Sequence, residues 1–90
     1  MPYITQSKRE EISPYIKDLL SYIDNADTIT SGHLNYIITL IIKHIYNRNI
    51  SYQSANDIVG ALEGAKAEFQ RRMLAPLENS KIKENGDVYD

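Results

Sequence analysis

The stretch Ser31–Asn47, SGHLNYIITLIIKHIYN, decides the fold. Its isoleucines are β-branched and fit a strand well. Its polar residues argue the other way. Asn35, Thr39, Lys43 and Asn47 recur every four residues, the spacing of one helix face. At 100° per residue the apolar arc from Leu40 to Ile42 spans roughly 200°. The spacing predicts a helix over 31–47. Its core face is Leu34, Ile37, Ile38, Ile41 and Ile45, and it carries only a narrow polar stripe.

Helix signals also lie on both sides. Upstream, Ser13-Pro14 reads as an N-cap followed by proline at the first helical position, where the missing N–H is not needed. Ile16, Leu19, Leu20 and Ile23 then line one face, which predicts a helix over 14–25. Ser7-Lys8-Arg9-Glu10 fits a capping box for a short helix over 7–12. Downstream, Ser54 reads as the cap of a third helix over 54–75, with Asp57 near its positive end. Ile58, Leu62, Ala65, Phe69 and Met73 form its apolar stripe. Pro76 predicts a kink or a stop. A short helix over 77–84, an Asn85-Gly86 turn or cap and a tail over 85–90 complete the chain. The reading is all-α, a single domain over 1–90 built as a small three-helix bundle with short terminal helices.

Composition bounds the function. The 90 residues hold 10 Lys+Arg and 12 Asp+Glu, a formal charge of −2, which argues against a general nucleic-acid binder. With no cysteine, disulfides and thiolate chemistry are excluded. No apolar run is long enough to span a membrane. The opening Met1-Pro2-Tyr3-Ile4 lacks the features of a secretory signal, so a cytoplasmic location is expected.

Association is the strongest expectation. Gly60, Gly64 and Ala67 lie on the back of the third helix. Each interior glycine costs about 1 kcal/mol against alanine. A bare flank suggests close approach, either by a helix of the same subunit or by a second subunit. A chain of this length has a radius of gyration of only about 12 Å. Three helices of that size cannot easily hide so wide an apolar arc, so a homo-oligomer is expected.

Chemistry is sparse. His33 and His44 stand about 16 Å apart along one helix and cannot share a metal. His33 reads as a helix-start residue. Asp57, Glu63 and Glu68 offer carboxylates but no dyad, and they read as salt-bridge or dipole partners. No catalytic residue, metal site or cofactor is assigned, and no enzyme is expected. Arg71 and Arg72, with Lys66 upstream, are the one basic concentration. They suit either the helix dipole or an anion, because guanidinium donates in a bidentate fork. Tyr36, Tyr46 and Tyr52 offer faces on which a planar ligand stacks, or simply form core edges.

The chain resembles a small domain family of unknown function found in phage and bacterial genomes. The resemblance is carried by Met1-Pro2-Tyr3-Ile4, Leu34-Asn35-Tyr36, Tyr52 and Asn56-Asp57. It continues through Gly60-Ala61-Leu62-Glu63, Ala65-Lys66, Glu68-Phe69, Arg71-Arg72, Pro76 and the ending Glu84-Asn85-Gly86-Asp87-Val88-Tyr89. It implies a short helical protein with no known enzyme activity and no established site. By analogy of type, small phage proteins include sponges for nucleotide immune signals of the host.

Two readings follow. One is a non-catalytic oligomer that sequesters a phosphate-containing, nucleotide-type molecule. Arg71, Arg72, Lys66, Tyr36, Tyr52 and Asn56 would line pockets between subunits, and Gly60, Gly64 and Ala67 would form the subunit contact. The other is a protein–protein module: an inhibitor, adaptor or structural accessory of a host protein. Arginines converging on a cleft favour the first, and arginines paired along their own helix favour the second.

Overall fold

The computed structural model describes residues 4–89. Met1, Pro2, Tyr3 and Asp90, which include most of the opening motif and the last residue of the tail, lie outside the described residues. Those described are all-α, with no strand among them. The chain divides into two compact units, Met1–His44 and Ile45–Asp90.

The first unit holds α1 (Gln6–Asn25) and most of α2 (Ser31–Arg48). Helix α1 is one continuous helix, not a short helix followed by a second over 14–25. Its cap is Thr5, whose hydroxyl accepts the Lys8 N–H at 3.3 Å. The capping box expected at Ser7 therefore starts two residues too late, and Glu10 instead accepts from the Gln6 amide at 3.2 Å. Ser13 is not a cap either. It lies inside the helix and donates to the Arg9 carbonyl at 2.7 Å. Pro14 sits in the interior, where the Glu10 carbonyl goes without its usual helical donor.

Helix α2 begins where the polar period places it. Thr30 precedes it, and the Thr30 carbonyl accepts the Leu34 N–H at 3.3 Å. The Thr30 N–H donates to His33 Nδ1 at 3.1 Å, and Thr30 Oγ1 accepts the His33 N–H at 3.4 Å. This is the reciprocal logic of a capping box, with imidazole in the role usually played by Glu. His33 is a helix-start residue, as the sequence suggested.

The second unit holds the end of α2, α3 (Tyr52–Phe69), a π-helical turn (Gln70–Leu74) and α4 (Ala75–Asn85). Ser51 caps α3 by accepting the Ser54 N–H at 3.0 Å. The expected cap, Ser54, is thus the capped residue. The shift places Asp57 in the second turn, beyond the strongest field of the helix end, where it accepts from the Gln53 amide at 2.8 Å. Pro76 does not stop the helix. The chain widens into the π-turn just before it, with the Ala75 N–H reaching back five residues to the Gln70 carbonyl. Gly86 ends α4 at φ +87°, ψ 157°, a conformation open in practice only to glycine, and its N–H bonds the Ile82 carbonyl at 2.7 Å. Beyond it the Tyr89 N–H donates to Asp87 Oδ1 at 2.8 Å, which bends the tail and leaves Val88 and Tyr89 almost wholly exposed.

No described residue is buried. The apolar stripes expected to meet in a core are present, each on its predicted helix, but within one copy they remain half-buried at best.

Candidate functional site

The second unit concentrates the features worth following. Along α3, Ile58 is half-buried and Leu62 is exposed. Further on, Phe69 is 58% exposed, Met73 65% and Leu77 55%. Large apolar side chains left this open are costly in water, roughly 1.5–3 kcal/mol each relative to full burial. Their sequence spacing of three and four residues puts them on one side of the helix up to Phe69.

Beside this stripe lies a charged cluster at the start of the π-turn. Glu68 is half-buried and holds both arginines. Arg71 Nη2 lies 2.9 Å from Glu68 Oε1 and 3.0 Å from Oε2, and Arg72 Nε lies 2.9 Å from Oε2. Two guanidinium groups therefore close on one carboxylate, three and four residues back along the same helix. This is intrahelical pairing. The sequence singled out the arginines and treated Glu68 as an ordinary salt-bridge partner. It missed that one carboxylate serves both, although the E-x-x-R-R spacing already held the signal.

The remaining candidate residues are not gathered around that cluster within the unit. Lys66 pairs with Glu63 at 4.0 Å. Tyr52, 91% exposed, begins α3, about 28 Å of helix before Arg71. Asn56 follows it one turn later and is exposed. Gly60 is exposed, and a side chain added there would meet nothing within 4 Å. Ala67 is likewise exposed, and Gly64 is half-buried.

In the first unit, Tyr36 borders a shallow groove on α2 with Ser31, Gly32, Asn35 and Thr39. That groove is one helix's own surface, and Thr39 spans it by donating to Asn35 Oδ1 at 3.3 Å. His44 Nδ1 donates to the Leu40 carbonyl at 2.8 Å. Among the described residues no cluster of His, Asp or Glu is arranged to hold a metal ion, and no helix is long and apolar enough to cross a membrane.

Fold and site together define a small all-α protein whose helices present apolar faces to the outside, with one arginine–carboxylate cluster at a helical irregularity. The chain belongs to the family described as "Domain of unknown function (DUF6899)", which matches residues 1–88 and so runs across both units. No match was found among curated proteins or among solved structures.

Proposed function

We propose that this protein is a non-catalytic protein-interaction module whose copies assemble through their apolar helix faces, completing as a helical bundle the core that one copy lacks. The observation that carries the reading is the absence of any buried residue among those described, alongside apolar stripes on every long helix. A 90-residue chain must bury apolar area somewhere to offset the entropy of ordering its backbone. Pairing of Arg71 and Arg72 with Glu68 supports the same reading, since their donors are already directed at a carboxylate of their own helix. Light scattering on the size-fractionated chain at micromolar concentration tests it. A multiple of the 10.3 kDa chain mass is expected, and a clean monomer overturns it.

A second reading keeps one specific observation. Two guanidinium groups that close on one carboxylate also have the geometry to close on one phosphate oxygen pair. In that reading the assembly sequesters a nucleotide-type molecule that competes with Glu68 for the arginines. A thermal-shift screen of linear and cyclic nucleotides at low salt tests it. Stabilisation lost in both Arg71→Ala and Arg72→Ala is expected, and no stabilisation by any nucleotide removes it.

A further inference from the structure

Of the seven asparagines in the chain, only Asn85 is followed by glycine. Its side chain is exposed and enters no hydrogen bond among the described residues. An asparagine carboxamide is electrophilic at Cγ, and the next backbone nitrogen can close a five-membered ring on it. Before glycine that nitrogen is most open to approach, because no Cβ stands beside it.

Backbone geometry decides whether the ring closes. Gly86 N must lie nearly eclipsed with Asn85 Cβ about the Cα–C bond. That requires a ψ of about −120°, and the helical value of about −42° leaves it roughly 80° away. The Gly86 N–H is also held, donating to the Ile82 carbonyl at 2.7 Å. A closed helix end therefore keeps the site shut. The lock is thin. That bond is the last rung of the α4 ladder, and at Gly86 the chain leaves the helix at φ +87°. Beyond it the tail makes only the local Asp87–Tyr89 hydrogen bond among the described residues. Opening one rung frees the Asn85 ψ, and helix ends open at little cost. Asn79-Ser80 shares α4 but lies in its interior, where rungs on both sides must break.

We propose that Asn85-Gly86 is a self-modification site gated by the last turn of α4, with hydroxide and water as its co-reactants. Hydroxide removes the Gly86 amide proton. The nitrogen's electron pair bonds Asn85 Cγ, the Cγ–Nδ2 bond breaks, and ammonia leaves with a proton taken from water, which restores the hydroxide. One water then opens the succinimide. Cleavage between the ring nitrogen and Cγ gives aspartate at this position. Cleavage between the ring nitrogen and the Asn85 backbone carbonyl carbon gives isoaspartate, with the chain routed through Cγ. The balance is one water taken up and one ammonia released. Either product adds a negative charge at the carbonyl end of α4, beside Glu84 and Asp87, where the helix dipole disfavours it. The iso form also lengthens the backbone by a methylene, so the Gly86 N–H loses its register with the Ile82 carbonyl. Loss of ammonia makes the change one-way, and the tail is unfastened. None of this depends on the assembly proposed above.

The test incubates the full chain at mildly alkaline pH, folded and in urea, and follows its peptides by mass spectrometry. In the folded chain, exchange of NH2 for OH at Asn85 is expected, faster as pH rises and at least about tenfold faster than at Asn79. In urea, conversion at Asn85 is expected to be faster still. No conversion at Asn85 in the folded chain overturns the site. Equal rates in the folded chain and in urea overturn the gate, as does Asn79 converting as fast as Asn85 in the folded chain. Asn85→Gln, which would have to close a larger ring, is expected to abolish the mass gain with helicity kept. An unchanged gain in that variant places the reaction elsewhere and overturns the assignment. Hydrogen exchange at the Gly86 amide is expected to quicken in the converted chain, and unchanged exchange overturns the release of the tail.

Discussion

Among the described residues two prolines lie inside helical stretches, and the chain treats them differently. Around Pro14 the helix stays α throughout, and the nearby Ser13 hydroxyl bonds the Arg9 carbonyl. Before Pro76 the helix widens into a π-turn over Gln70–Leu74 and then resumes. Both prolines lack the N–H that an α-helix needs. What differs is the apolar pattern around them. Ile12, Ile16, Leu19 and Ile23 already keep an α-helical period across Pro14, so an inserted residue there would scatter them. Ile58 to Leu77 keep too long a period, and an inserted residue gathers them. The comparison teaches that a proline permits an irregularity, while the spacing of apolar residues determines whether one is useful.

The largest expected effect that sharpens this contrast is at Pro14. Pro14→Ala restores a donor to the Glu10 carbonyl in the middle of α1 and is expected to stabilise the chain by about 3 kcal/mol, read as a higher denaturation midpoint. Pro76→Ala is expected to give about 1 kcal/mol or less, because Pro76 sits in the first turn of α4, where a donor is less needed. Equal gains at both sites would break the contrast.

Between Pro14 and the π-turn the helices should behave as ordinary exposed α-helix. Gly60→Ala is expected to stabilise by about 1 kcal/mol, since the added methyl meets open space and glycine is the poorer helix former. The same variant also separates two faces. Association unchanged by Gly60→Ala fits docking through the apolar face that carries Phe69, whereas weakened association puts the contact on the glycine face. Ser51→Ala removes the cap of α3 and is expected to cost about 1 kcal/mol in thermal unfolding. Smallest of all is Arg72→Ala, an exposed intrahelical pair expected to cost no more than about 0.5 kcal/mol in the isolated chain. A much larger loss that depends on protein concentration would place Arg72 in the contact between copies.

Much of this architecture is legible from residue order. The four-residue polar period of Asn35, Thr39, Lys43 and Asn47 is a local property, and it overrides the strand propensity of the isoleucines around it. Gly86 marks the end of α4 because few other residues tolerate its backbone angles. Helix starts are less legible. Thr5 and Ser51 compete with Ser7, Ser13 and Ser54, which have the same cap chemistry, and the winner depends on which carbonyl begins the hydrogen-bonded ladder. The arginine cluster is half legible: the spacing of Glu68, Arg71 and Arg72 is in the sequence, but the sharing of one carboxylate requires side-chain geometry.

By itself, then, the sequence determined the helical class, the approximate extent of α2 and the start of α3, and which faces are apolar, because these follow from interactions within four or five residues. The three-dimensional structure alone decided that Pro14 lies within continuous α-helix while a π-turn precedes Pro76. It also decided that Glu68 gathers both arginines and that one copy buries none of its described side chains. Those outcomes depend on how a backbone distributes one residue's rotation over many turns, and on which apolar faces find each other, and neither is a property of any short segment.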